Sequence, residues 1–342
     1  MGRSEITIDL RALRANVAVL AKAAGRAELW AVVKADGYGH GAADCARAAL
    51  EAGARALCVA TVAEGAALRP AHPGVRILVL SPIMEEDEAL AREAGLEVAV
   101  ASPRLPERLT VHAKIDTGMG RFGMTPDEAA RLDPERVAGV MSHLATADEA
   151  DQGFVRTQVE AFAAVAARFP EAVKHLANSA ATFAMPEARF DAVRCGVALY
   201  GLSPFGRDPD ELGLEPVLSW RSRIAQAKAL APGESTGYGR RFLAERETRI
   251  GLVPVGYGDG FRRGLSGAEV LVGGVRRPVL GTISMDSFAV ALEDEPAGTR
   301  VALIGDGLLA EEHARRLGTI NYEVTTGIVA DPRRAERSIL DG

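Results

Sequence analysis

Lys34 ends an apolar run, Leu29 to Val33, and glycines follow at alternate positions, Gly37, Gly39 and Gly41, with Tyr38 and His40 between them. A lysine set among apolar residues is costly to keep protonated, which makes it a usable nucleophile or base. The plain alternative is a surface lysine snorkelling from a strand end. Other polar groups stand where apolar runs stop: Lys114 with Asp116 and Arg121, then His143, Asn178 and Ser179, and Arg194 with Gly196. Singly, each has an ordinary explanation. A lone histidine is more often a satisfied buried imidazole than a catalyst, and Asn178-Ser179 could simply cap a helix. Together, a hydroxyl, a helix start and glycine amides at 178–179 and 194–197 would suit a phosphate. Further along, Tyr238 lies between Gly237 and Gly239, exposed enough to reach a site; the alternative is an aromatic turn residue. Thr282 to Ser287 is the other polar candidate in that half of the chain.

These groups need elements to bring them together. Strand-like apolar runs fall near 29–34, 56–61, 75–81, 96–101, 109–115, 136–143, 173–177 and 192–197, and helical patterns such as Ala42–Ala52, Glu85–Ala94, Pro126–Leu132 and Gln152–Phe169 lie between most of them. Eight strands alternating with helices over some 200 residues predict a parallel (β/α)8 TIM barrel, whose chemistry sits at the carboxyl ends of the strands. Lys34, Lys114, His143, Asn178 and Arg194 would then share one rim. Residues 102–108 hold two prolines and too few residues for a helix, so the barrel is expected to be irregular between strands four and five. Glu5–Leu10 reads as a short strand, and Asp9 as the cap of a helix carrying Leu13, Val17 and Leu20, stopped by Gly25. Past residue 212 strands dominate, at Val217–Leu230, Thr248–Val255, Glu269–Val272, Arg276–Leu280, Ser287–Leu292 and Thr299–Ile304. They come with a Gly273-Gly274 hairpin turn and one helix at Leu308–Leu317. The expected organisation is a barrel over 9–206, then a mostly β C-terminal domain over 207–342 that also takes the N-terminal strand, 1–8.

Composition narrows the function classes. The chain has 342 residues, 48% hydrophobic and 25% charged, with a net charge of −6. That is a globular protein with ample core and no electrostatic invitation to nucleic acid. No apolar run approaches the ~18 residues of a membrane span, and the opening residues lack a signal-peptide core. Cys45, Cys58 and Cys195 are scattered thiols of a reducing compartment, and the expected location is cytoplasmic. No metal-ligand cluster is expected. Gly118-Met119-Gly120-Arg121-Phe122-Gly123 matches the dinucleotide pattern G-x-G-x-x-G. The acid expected about 20 residues later is missing, and Arg121 in the loop suits a carboxylate, so a nicotinamide dehydrogenase is disfavoured.

Several segments in order resemble the alanine racemases, pyridoxal-phosphate enzymes with a barrel followed by a β domain. They are Val33–Gly41 (VKADGYGHG), Lys114–Arg121 (KIDTGMGR), Ser142–Asp148, Asn178–Ala181, Arg194–Gly201 (RCGVALYG), Gly237–Gly239 and Ile320–Val324. The resemblance implies interconversion of L- and D-alanine, supplying D-alanine for peptidoglycan, in a homodimer whose active sites are shared between subunits. Lys34 would hold pyridoxal 5'-phosphate as a Schiff base and act as one catalytic base, and Tyr238 would be the opposite base, from the partner subunit. Arg194 would face the pyridine nitrogen with His143 hydrogen-bonded behind it. Tyr38, Asn178, Ser179, Gly196, Val197 and Tyr322 would bind the cofactor, mostly at its phosphate. Arg121 and the Met285 amide would bind the substrate carboxylate, and Lys114 stands where relatives often carry a carbamylated lysine. Ser284 replaces a cysteine found in some relatives. Two further readings fit the same residues: a racemase of broader specificity, and a non-catalytic pyridoxal-phosphate-binding barrel, against which the added β domain and Tyr238 argue.

Overall fold

The computed structural model describes residues 3–342. The chain divides into two compact units, Leu13–Phe205 and a second made of the chain up to Ala12 with Gly206–Gly342.

In the first unit eight strands close into a parallel barrel: β2 (Glu28–Val32), β3 (Ala56–Val59), β4 (Arg76–Val79), β5 (Glu97–Val100), β6 (Thr110–Lys114), β7 (Val137–Met141), β8 (Val173–His175) and β9 (Ala192–Cys195), with β1 being Ser4–Asp9 of the other unit. The barrel closes through β2 and β9, with Glu28 opposite Ala192 and Ala31 opposite Cys195. Apolar runs rather than alternation mark these strands because parallel strands covered by helices are buried on both faces; every residue of β3 is buried. The β5–β6 connection has no helix, as its prolines predict, yet the pairing there is unbroken from Glu97–Thr110 to Val100–Ala113. The register shift falls one strand later, between Val111 and His112 against β7.

In the second unit β1 pairs in parallel with the C-terminal strand Ala335–Leu340 and antiparallel with β10 (Leu218–Arg223). The expected strand 217–230 is two, β10 and β11 (Gln226–Leu230), with a break at Ile224-Ala225. Asp9 caps the helix Leu10–Ala24 as its type predicts, its Oδ1 accepting from the amides of Arg11 at 2.9 Å and Ala12 at 3.3 Å. Gly273 (φ 57°) and Gly274 (φ 88°) turn the hairpin between Glu269–Val272 and Val275–Leu280. The helix expected at 308–317 runs Ala310–Leu317, and a second, Asn321–Thr326, was not evident from periodicity.

Candidate active site

Strand β2 stops at Val32, two residues before Lys34, and the chain enters a left-handed turn. Ala35, Asp36 and Tyr38, none of them glycine, take φ of 51°, 50° and 55°. For L-residues such backbone costs about 1–2 kcal/mol each, so the surroundings must impose it. Several bonds do. Asp36 Oδ1 accepts from the Ala42 amide at 2.8 Å, and the Gly37 amide donates to Val33 O at 2.9 Å. Glu64 Oε1 accepts from the Ala35 amide at 2.8 Å, while Oε2 holds the amides of Ala60 and Thr61. Glu64 closes a capping box with Thr61 at the start of the helix Val62–Leu68. It thus ties the Lys34 turn to the neighbouring strand end, a role the Thr61-x-x-Glu64 pattern alone would not reveal.

Lys34 is half-buried, and its pKa lies below the ordinary lysine value. Burial is the main cause, with the charges of Arg121 and Arg194 adding to it and Glu64 opposing. Lys114 is 6% exposed and donates from Nζ to Leu80 O at 3.0 Å. Burial, then the charges of Arg194, Arg121 and Lys34, pull it down to about 8. The same combination pulls half-buried His143 to about 3, so it is a neutral imidazole. Four cations thus share one rim, a surplus that suits an anionic ligand.

Arg194 is buried, and its side chain is almost fully committed. Nη1 donates to His175 Nδ1 at 3.0 Å and to His175 O; Nη2 donates to Ser142 O at 2.7 Å and Leu176 O at 3.1 Å. The imidazole behind Arg194 is therefore that of His175, and the expected hydrogen bond from His143 is not formed. The reason is position. His175 ends β8 beside Arg194 on β9, whereas β7 ends at Met141 and brings only the Ser142 carbonyl within reach. Of the five guanidinium N–H groups, Nε–H is the one without an acceptor among the described residues. Burial lowers Arg194 to about 10, which still leaves it protonated near neutrality.

Asn178 caps the helix Ser179–Ala184, its Oδ1 accepting from the Ala181 amide at 3.0 Å. The Gly196 amide is not free, since it donates to Ser179 Oγ at 3.1 Å. Val197 opens the following turn, and its N–H has no acceptor among the described residues. A Cβ on Gly196 would overlap the Tyr38 hydroxyl, so glycine is what lets that hydroxyl reach this loop. In the glycine-rich segment after β6, the amides of Gly118 and Gly120 both donate to Asp116 Oδ1, at 2.9 and 3.1 Å. They face their own aspartate, which excludes the pyrophosphate cradle of a dinucleotide fold. Arg121, in the same segment, is exposed and without an ion pair among the described residues.

In the other unit Tyr238 is 72% exposed, held by a 2.9 Å hydrogen bond from Thr282 Oγ1 to its carbonyl. Met285 is also exposed, in a loop whose Ser284 and Met285 carbonyls accept from the amides of Tyr257 and Gly258. The Met285 N–H has no acceptor among the described residues. Arg334 braces this loop, donating to Asp259 Oδ1 and, at 2.7 Å, to Asp286 Oδ1. Tyr322, half-buried, lies in the first turn of Asn321–Thr326.

Removing the Lys114 charge tests how hostile this rim is. In bicarbonate-free buffer, Lys114→Met is expected to stabilise the cofactor-free protein at pH 7 by on the order of 2 kcal/mol. The unfolded chain keeps this proton to about 10.5 and the folded chain releases it near 8, so wild-type stability rises across that interval. The advantage of Lys114→Met is therefore full below pH 8 and shrinks toward pH 10.5; urea unfolding at pH 7 and pH 10 measures it.

Two family models cover nearly the whole chain: the alanine racemase N-terminal domain over residues 8–204 and the alanine racemase C-terminal domain over 217–336. The chain is 40% identical to the alanine racemase of Symbiobacterium thermophilum, covering 94% of this chain and 93% of that one. It is also 40% identical to alanine racemase 1 of Bacillus subtilis, covering 94% and 90%. The alanine racemase structure from D-cycloserine-producing Streptomyces lavendulae superposes with a TM-score of 0.93 at 38% identity, over 100% of this chain and 98% of that chain. That from Bartonella henselae, with covalently bound pyridoxal phosphate, gives 0.90 at 30% identity over 98% and 99%. A parallel barrel with a half-buried lysine at its rim, joined to a β-rich unit bearing an exposed tyrosine and matched over its length by these relatives, is a member of the alanine racemase family, an isomerase.

Proposed function

We propose that the chain interconverts L- and D-alanine, with pyridoxal 5'-phosphate held covalently by Lys34 and with Lys34 and Tyr238 as the two catalytic bases. The supporting observation is Arg194, whose one uncommitted donor, Nε–H, suits an aromatic nitrogen acceptor. The four-cation rim, the free Val197 amide and the Tyr38 hydroxyl against Gly196 fit an anionic phosphate in the same way. When bound, the cofactor draws electrons from the substrate Cα and makes its proton removable.

The chain's own residues do the rest. Burial holds Lys34 below the ordinary lysine value and so favours the neutral amine, the form that can take a proton. Inversion needs a proton taken on one face and returned on the other, hence a second base; Tyr238 is the exposed hydroxyl available for it. The Nε–H of Arg194 would donate to the ring nitrogen of the cofactor without surrendering its proton. His143, a neutral imidazole, would contact the bound cofactor, and Asn178 caps the helix that carries Ser179. Tyr38, Ser179, Val197 and Tyr322 would bind the phosphate, with Gly196 making room there for the Tyr38 hydroxyl, while Arg121 and the Met285 amide would take the substrate carboxylate. Lys114, held near 8, has enough neutral amine to add carbon dioxide, and a carbamate there would orient Arg121. The working unit is a homodimer in which each subunit lends Tyr238 to its partner, placed in the cytoplasm and feeding D-alanine to peptidoglycan.

Purified protein incubated with L-alanine and a panel of other L-amino acids, followed by chiral chromatography, tests this. D-alanine forming fastest is expected. Equal turnover of several amino acids would point to a broad-specificity racemase, and no D-isomer from any of them, with cofactor bound, would overturn the assignment. Gly196→Ala is expected to weaken cofactor retention about tenfold, because the added methyl displaces the Tyr38 hydroxyl at an overpacking cost of about 1–3 kcal/mol. Absorbance of bound cofactor through dialysis measures it.

A further inference from the structure

Behind Arg194 the barrel interior holds a chain of side chains that the proposed reaction does not use. His175 Nε2 lies 2.8 Å from His112 Nδ1, and His112 Nε2 lies 2.7 Å from Glu97 Oε2. Glu97 Oε1 accepts from Arg76 Nε at 3.0 Å, and the Arg76 guanidinium sits 5.0 Å above the Trp30 ring. Both imidazoles are 0% exposed and pack against Trp30. Gly139 makes room for the pair, since a Cβ there would overlap His112. The line runs from Arg194 at one end of the barrel to Glu97, the first residue of β5, at the other.

The proton order along this line is forced. Arginine only donates, so His175 Nδ1 must carry a lone pair and His175 Nε2 the proton. That proton points at His112 Nδ1, which must then be the acceptor, leaving the His112 proton on Nε2 facing the Glu97 carboxylate. Every link donates in one direction: Arg194 to His175, His175 to His112, His112 to Glu97. Burial favours the neutral form of both imidazoles, consistent with one proton each. Burial alone would raise Glu97, but the hydrogen bonds from His112 and Arg76 and the charge of Arg76 outweigh it and hold the carboxyl below its ordinary value.

We propose that Glu97 is a positioning residue for the reaction: through His112 and His175 it fixes the rotation of the Arg194 guanidinium that leaves Nε–H free. This rests on the proposed role of Arg194 toward the cofactor. Without the acceptor at Glu97, His112 can turn its proton to Nδ1, His175 must answer by protonating Nδ1, and two donors then face each other at Arg194.

The test uses holoenzyme labelled with 15N-histidine. In the wild type, NMR is expected to show protonated Nε2 and unprotonated Nδ1 at both His112 and His175; an N–H at either Nδ1 overturns the proposal. Glu97→Leu should mix the tautomers at His112, shift the absorption band of the bound cofactor and lower kcat about tenfold with little change in KM, as outer partners of a site residue do. Glu97→Gln keeps an acceptor oxygen and should restore both the tautomers and kcat to within about threefold of wild type. Wild-type kcat in Glu97→Leu, or Glu97→Gln no better than Glu97→Leu, would overturn it. Should Glu97→Leu not fold, the tautomers of wild type and Glu97→Gln decide. If the wild type racemises no amino acid yet shows the predicted proton order, the functional reading has failed and the relay stands.

Discussion

Lys34→Ala is expected to lower racemisation of alanine by roughly 10^4-fold, the upper end of what one acid–base group contributes, because in the proposed mechanism the same side chain also anchors the cofactor. The loss should come without loss of fold. A lysine whose folded pKa lies below its unfolded value destabilises the folded state while it is protonated, and that penalty is relieved only as pH rises through the folded pKa. At neutral pH the substitution therefore removes a disfavoured charge from beside Arg121 and Arg194. It leaves intact the Asp36 and Glu64 bonds that hold the turn. The melting temperature of cofactor-free Lys34→Ala should equal or exceed that of cofactor-free wild type at pH 7, and activity by chiral chromatography should be near background. A variant that keeps a tenth of wild-type turnover would remove Lys34 from the chemistry.

How much of this was legible in the sequence follows from what each feature depends on. Most of the barrel strands were, because burial on both faces writes them as largely apolar runs. The left-handed turn at 35–38 was not: Ala35 and Asp36 are ordinary residues forced into that backbone by Asp36, Glu64 and the Val33 carbonyl, all contacts made by tertiary structure. Glycines at alternate positions signalled unusual backbone but not which residues would bear the strain. Arg194 was placed correctly at a strand end while its imidazole partner was not. His143 and His175 both lie in expected strands, 136–143 and 173–177, and only where those strands end decides which one reaches Arg194. His112 did leave a trace, two residues before Lys114 on one strand and so facing the same side, the barrel interior. The helix carrying Tyr322 is six residues long, too short for periodicity to declare.

Tyr238→Phe is the second large effect, an expected loss of roughly 10^3-fold, within the range for one general acid–base group. The hydroxyl is all that changes. The ring is 72% exposed and the turn is held through its backbone carbonyl by Thr282, so unfolding free energy should move by no more than about 0.5 kcal/mol. If the two bases serve opposite faces, as proposed, exchange of the Cα hydrogen with D2O should collapse for one enantiomer of alanine and persist for the other in Tyr238→Phe. Lys34→Ala should not keep it for either, since it lacks the proposed cofactor anchor. Mixing the two inactive variants then separates the subunits. If Tyr238 serves the partner's barrel, a hybrid dimer carries one site with both substitutions and one with neither, and equal mixing should return about a quarter of wild-type activity, half the dimers being hybrid with one working site of two. If Tyr238 serves its own barrel, every site in the mixture lacks one base and no activity returns.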